Sequence, residues 1–235
     1  MRNLVKAGVR QLAGYRRSMN FDFILVLTYS RSGSTLLQGI LNSIDGVLVR
    51  GENATALTPI HSSYLRAQTA RAGFGQGSAS PTSAWFGAAD IQVEEFGRAL
   101  GRAFVEHVLR PQQDTRMIGY KEIRHILEMS DEELMAFMAF VRSVFGRSGF
   151  IINTRSIQSV ITSAERAKHG VTPEQLIAAD QRLRVLADSG APDIFHVHYD
   201  DYVADPDKLQ PLFEFLGAPY RPDRLRRVLA TPHSV

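Results

Sequence analysis

The chain has no cysteine among its 235 residues, which excludes a disulfide framework and any thiolate metal site. No apolar run approaches the roughly 20 residues that a membrane-spanning helix needs. The opening residues lack a signal-peptide core with its cleavage site, so the expected location is cytoplasmic. A strong excess of one charge is also missing. The net charge of +3 suits anionic ligands but does not pick out a nucleic-acid binder, and no nucleic-acid partner is expected. Lysine is scarce, since 23 of the 27 basic residues are arginine; planar recognition of phosphate or sulfate is one reason for that, coding bias the blander one. No repeat recurs at a fixed period. An apolar fraction of 44% and a charged fraction of 22% are ordinary for a globular chain with one sizeable core. A single domain over residues 1–235 is therefore expected.

What is present is organised around Phe23-Ile-Leu-Val-Leu-Thr-Tyr-Ser-Arg-Ser-Gly-Ser-Thr-Leu-Leu37. The apolar run Phe23 to Leu27 predicts a strand buried on both faces. A short loop of hydroxylated residues around Gly33 follows, and then Leu36, Leu37, Ile40, Leu41 and Ile44 recur at helix spacing. Strand, small-residue loop and helix start together aim free backbone N–H groups and a helix dipole at an anion. Arg31 and the hydroxyls of Ser30, Ser32, Ser34 and Thr35 add donors. A nucleotide-kinase loop needs G-x-x-x-x-G-K-[ST], but here Thr28 stands at the first glycine and Ser34 at the lysine.

Further along, Gly46 to Val49 reads as a short strand, and Leu57 to Arg71 as a helix. Residues 72–89 form a glycine- and serine-rich loop carrying Trp85 and Phe86, the kind of long loop that serves as a flexible lid or binding segment. Its aromatics could stack on a sugar or adenine, or simply anchor the loop. Helices are predicted over 91–109, 132–145, 157–168, 173–186 and 207–216, with a last turn or two over 224–229. Strands are predicted over 117–123, 150–153 and 194–199. Short strands alternating with long helices predict an α/β three-layer sandwich, a parallel sheet with helices on both faces. Right-handed crossovers then gather residues 30–34, 50–53, 121–124 and 155–156 on one sheet edge. Residues 3–17 carry apolar positions among four basic ones. They predict a basic helix that either caps the sheet or touches an anionic membrane surface weakly.

The stretch Thr28 to Leu37 resembles the 5′-phosphosulfate loop of sulfotransferases that use 3′-phosphoadenosine-5′-phosphosulfate (PAPS). Asn153-Thr-Arg-Ser, with Ser163 eight residues beyond Arg155, is similar to that family's 3′-phosphate site, although Ser156-Ile157 replaces the usual aspartate-proline. Gly51-Glu52 resembles the turn bearing the catalytic glutamate in tyrosylprotein and several carbohydrate members. Gly119-Tyr-Lys121 resembles a Gly-x-Lys segment of bacterial members, and Tyr199-Asp-Asp together with Asp205-Pro206 and Phe215-Leu-Gly217 resembles a further family segment.

The resemblance implies a P-loop-related sulfotransferase fold and sulfuryl transfer from PAPS to a hydroxyl, with a glycan or small molecule as acceptor and without a metal. It implies Arg31, Ser32, Gly33, Ser34, Thr35 and Leu36 at the 5′-phosphosulfate, and Arg155 with Ser163 at the 3′-phosphate. Glu52 becomes the base, and Lys121 neutralises the sulfonate or orients the acceptor. His61, His107 and His125 compete as bases, His61 lying nearest in sequence. The glycine- and lysine-rich loop that covers the adenine in many members does not precede Thr231-Pro-His-Ser-Val235, so Arg224, Arg226 and Arg227 are candidates to replace it. Two rivals remain: an ATP-dependent small-molecule kinase, and a binding module without turnover. The acceptor and the oligomeric state are open at this point.

Overall fold

The computed structural model describes residues 19–168 and 170–231. The basic N-terminal segment 3–17 lies outside the described residues. Five parallel strands form one sheet in the order β2-β3-β1-β4-β5. They are β1 (Phe23–Leu27), β2 (Val47–Arg50), β3 (Met117–Glu122), β4 (Ser148–Thr154) and β5 (Ile194–His198). All residues of β1, β3 and β4 are buried, as a strand covered on both faces requires. Gly119 is where β3 approaches β1 most closely: a Cβ there would lie 1.8 Å from the Ile24 carbonyl oxygen. The expected three-layer sandwich is the architecture observed.

The β1-to-β2 crossover runs one way along the sheet, and the crossovers into β3, β4 and β5 run the other way. Right-handed connections then send α1 (Ser34–Asn42) to one face, and α2 (Leu57–Phe74), α3 (Val93–Ala103), α4 (His125–Glu128), α5 (Asp131–Phe145), α6 (Ile157–Arg166) and α7 (Pro173–Ala187) to the other. The core divides accordingly. Phe23, Leu25 and Leu27 of β1 pack with Phe137, Val160 and Leu183. Ile24 and Val26 pack with Leu37, Ile40 and Leu41 of α1. Each fully buried side chain of this kind contributes about 1.5–3 kcal/mol. On the α1 face the sandwich is closed by α8 (Tyr199–Ala204), α9 (Gln210–Leu216) and α10 (Pro222–Leu229) through Tyr202, Leu212, Leu216 and Leu225.

Local signals explain most boundaries. Ser130 and Glu133 form a capping box that starts α5, and Thr172 and Gln175 form another before Pro173 in α7. Three expectations need correction. The 91–109 helix is α-helical only to Ala103 and becomes a π-helical turn over Phe104–Leu109, with Arg50 bonding the freed carbonyls of Leu109 and Arg110 at 2.7 and 3.1 Å. Tyr199 opens α8 rather than ending β5. The 207–216 helix is a 3-10 turn followed by α9. The last turn or two forms as expected, in a helix begun two residues earlier by Pro222. In the loop between α2 and α3, Trp85 stacks on Phe74 with ring centroids 3.8 Å apart, while Phe86 is exposed. Among the described residues no helix is long and apolar enough to cross a membrane.

Candidate active site

Every strand runs the same way, so the loops after β1, β2, β3 and β4 meet along one edge. The loop after β1 turns through two left-handed residues, Arg31 at φ 65° and Gly33 at φ 78°. Left-handed backbone costs a non-glycine residue about 1–2 kcal/mol, so Arg31 is held there by its surroundings. At Gly33 a side chain is excluded twice over, because a Cβ would lie 2.1 Å from Cδ2 of Tyr199. α1 begins without a side-chain cap and without an acidic residue in its first turn. Among the described residues the amides of Gly33, Ser34 and Thr35 donate to no partner. An uncapped helix start with three free amides suits an anion.

The loop is wired from below. The Thr28 hydroxyl lies 2.6 Å from that of Ser32 and donates to the Asn153 carbonyl at 2.9 Å. Asn153 in turn donates to the Ser32 carbonyl at 3.1 Å and accepts from Tyr202 at 3.2 Å. Ser32, fully buried, therefore braces the loop and does not line the cleft. Tyr29 donates to Asp180 at 2.7 Å and accepts the Arg155 amide at 3.0 Å. Burial, reinforced by the bond to Asp180, pushes the Tyr29 hydroxyl well above its ordinary range, so it stays protonated as a donor.

Two adjoining clefts open above the loop. The first, of about 600 Å³, is lined by Ser30, Arg31, Gly33, Ser34, Thr35 and Leu36, with Glu52, Lys121, Ile123, Arg155, Tyr199, Leu229 and Thr231 around them. The second, of about 630 Å³, is lined by Arg31, Arg155, Gln158, Ser159, Thr162, Ser163 and Arg166. Arg31 and Arg155 belong to both. Arg31 Nε donates to Ser163 Oγ at 2.9 Å, and Arg155 Nη1 donates to the Arg31 carbonyl at 3.2 Å. Arg155 also lies over the Tyr199 ring, 4.5 Å from its centroid. Its Nε is buried without a hydrogen-bond partner among the described residues, as is Ser30 Oγ.

Across the first cleft, Lys121 Nζ bonds Glu52 Oε1 at 2.5 Å. The Lys121 side chain is 7% exposed and that of Glu52 38%, so Glu52 faces the opening. Neighbouring Glu122 is spent elsewhere. It is fully buried and accepts the backbone amides of Thr55, Ile123 and Arg124 at 3.0–3.3 Å, which fixes the turn after Glu52. That turn carries two consecutive left-handed residues, Ala54 and Thr55.

The histidines expected to compete as bases lie elsewhere. His61 is buried between Phe137 and Phe140, and burial lowers its pKa. His125 is fully buried against Tyr120 at 2.9 Å, and burial pushes it down to about 4. His107 is exposed on the π-helical turn. Arg224 is bonded to Asp45 at 2.5 Å and Arg226 pairs with Asp223, so what α10 and the following residues bring to the cleft is Leu229 and Thr231. Among the described residues no group of three or more His, Asp or Glu is placed to hold a metal ion.

Sequence reasoning gave no role to Tyr29, Asn153, Asp180 or Tyr199. All but Asp180 stand inside the quoted segments, but as flanking positions of the motifs.

Comparison with known proteins agrees with this arrangement. The sulfotransferase domain from the Synechococcus PCC 7002 olefin synthase superposes with a TM-score of 0.57 at 18% identity, covering 95% of this chain and 82% of that one. The sulfotransferase domain from the curacin biosynthetic pathway gives 0.55 at 17% identity, covering 93% and 80%. Identities this low speak for the fold alone. No curated protein matches the sequence. The model of the sulfotransferase family matches residues 23–222, from the first residue of β1 to the first of α10, and with it the loop, the Glu52–Lys121 pair and the Arg155–Ser163 segment. The chain belongs to the sulfotransferase family.

Proposed function

We propose that this chain transfers a sulfuryl group from PAPS to a hydroxyl, and that the acceptor is a carbohydrate. The observation that carries the reading is the shared wall. Arg31 and Arg155 border both a cleft containing a carboxylate–ammonium pair and a second cleft containing Ser163 and Arg166. A donor with phosphates at both ends of one nucleotide suits two adjoining anion sites. The residues fit it: the free amides at the start of α1 and the partnerless Ser30 Oγ and Arg155 Nε are donors in want of an acceptor.

The donor supplies a sulfuryl group carried on a phosphate leaving group. The amides of Gly33, Ser34 and Thr35 hold that phosphate with the helix dipole behind them. Arg31 adds a full charge where the departing oxygen becomes negative, the kind of stabilisation on which such loose transfers depend. Arg155 and Ser163 anchor the 3′-phosphate. Glu52 takes the acceptor proton on Oε2, since Oε1 is occupied by Lys121. Lys121 orients Glu52 and brings positive charge to the cleft. The half-exposed Glu52 at an open mouth leaves room for a saccharide hydroxyl to approach.

The test is a transfer assay with labelled PAPS over a panel of glycans, small alcohols and tyrosine peptides, with ATP–magnesium as the rival donor. Label should pass to saccharide hydroxyls and be lost in Arg31→Ala. Phosphoryl transfer from ATP would favour a kinase, and PAP binding without transfer to any acceptor would favour a binding module. Label on peptides alone would overturn the carbohydrate assignment and leave the donor standing.

A further inference from the structure

Arg155 is restrained on every side that faces protein. Its guanidinium lies on the Tyr199 ring, Nη1 bonds the Arg31 carbonyl, and Nε lies 3.9 Å from Asp200 Oδ1. That last distance is too long for a hydrogen bond, yet it is short enough for the carboxylate to fix which way the guanidinium turns. Asp200 is itself pinned. Its Oδ2 accepts the Ser156 amide at 2.7 Å and lies 3.3 Å from His198 Nε2. His198 Nδ1 is 2.9 Å from the Thr154 hydroxyl, which is also 2.7 Å from His196 Nε2.

A hydroxyl carries one proton, so Thr154 can donate to only one of the two rings. If neutral His198 donates Nε2–H to Asp200, its Nδ1 accepts from Thr154, and His196 donates into the Thr154 oxygen. The chain of donors then runs one way, from His196 through Thr154 and His198 to Asp200. Oδ2 is then taken by His198 and the Ser156 amide, and Oδ1 is left on the Arg155 side. None of these groups except Arg155 borders a cleft.

We infer that Asp200, held by His198 and the Ser156 amide, is a positioning residue: it sets the Arg155 guanidinium for the 3′-phosphate and so determines the preference for a 3′-phosphorylated donor. The inference rests on the donor reading above. An arginine without this support would spend side-chain entropy on each binding event. The support should therefore appear in discrimination between nucleotides rather than in nucleotide affinity at large.

Calorimetric titration of the full chain with PAP and with adenosine 5′-phosphate reads this out. Wild type should prefer PAP. Asp200→Ala should lose PAP affinity about tenfold and keep adenosine 5′-phosphate affinity within about twofold. Asp200→Asn, which keeps an acceptor for the Ser156 amide, should fall between them at near-wild-type Tm. In turnover, donor KM should rise in both variants and kcat should hold. Unchanged PAP affinity, or equal losses for both nucleotides, would overturn the inference and make Asp200 a structural support. Should wild type itself fail to prefer PAP, the donor reading falls, and the Arg155 Nε–H resonance, assigned by Arg155→Lys, decides the positioning. It should be ordered in wild type and averaged in Asp200→Ala; an identical resonance in both would sink the inference.

Discussion

Lys121 and Glu52 meet at 2.5 Å across the mouth of the cleft, tying the end of β3 to the turn after β2. The ammonium is nearly buried and the carboxylate is not, so the pair works as a fixed charge holding a solvent-facing carboxylate. Glu52→Gln should lower kcat by roughly 10²–10⁴-fold while leaving donor affinity intact. It should also lower Tm, because it strips a nearly buried ammonium of its counter-charge. Steady-state kinetics with PAP titration checks the first outcome and a thermal melt the second; weakened donor binding would move Glu52 from the acceptor to the donor side.

Arg31 combines a charge with a strained backbone, and the two can be separated. Arg31→Ala and Arg31→Gly both remove the guanidinium and should both cut turnover by about 10²–10³-fold. They differ in the backbone: at φ 65° the glycine variant should be the more stable by roughly 1 kcal/mol. Chemical denaturation of the two variants measures that difference, and equal stabilities would mean the loop relaxes once the side chain is gone.

The parts of this site legible in the sequence were those whose chemistry is local. β1 was readable because Phe23–Leu27 is apolar without a break and is buried on both faces. The loop was readable because small hydroxylated residues around a glycine, set between strand and helix, have few other uses. Crossover handedness put Glu52, Lys121 and Arg155 on the loop edge, but their roles, and Ser163 altogether, came only through resemblance, since an isolated Glu or Arg has no period. Tyr29 and Asp180 were out of reach, because a helical Asp with Arg184 four residues on looks like a solvated pair, while here the carboxylate is 6% exposed under the loop. Short elements also escaped: α4 has four residues and α8 has six, too few to show a helical repeat.

Gly33 lies against the Tyr199 ring, which leaves no room for a methyl group. Gly33→Ala should abolish donor binding and lower Tm, as both the contact and φ 78° oppose it. Adding Tyr199→Ala should restore part of the Tm but not the binding, with a coupling of about 0.5–3 kcal/mol. A double-mutant cycle by thermal melt gives the number, and strict additivity would show that φ strain alone is responsible.

Burial lowers His125 from 6.5 to about 4. The unfolded chain therefore binds a proton between those values that the folded chain refuses. Stability should be full above pH 6.5 and fall as pH drops to about 4, by about 3 kcal/mol for this group. His61 and His196, also lowered by burial, act in the same direction. Urea midpoints from pH 7.5 to 4 should show the decline, and His125→Gln, which keeps a partner for Tyr120, should flatten it. An unchanged slope would place the acid sensitivity elsewhere.

The anion loop is among the earliest described parts of the chain to be synthesised, yet its wall comes from the latest. Tyr199 closes over Gly33, and Leu229 and Thr231 complete the rim. α1, which carries the loop, packs against α10, and β1 has no neighbour in the sheet until β3 and β4 exist. On the ribosome, then, the strand and its loop emerge well before their partners. The cleft closes only once α8 and α10 have emerged, and a nascent chain stalled before α8 holds the loop's residues without the rim that encloses them.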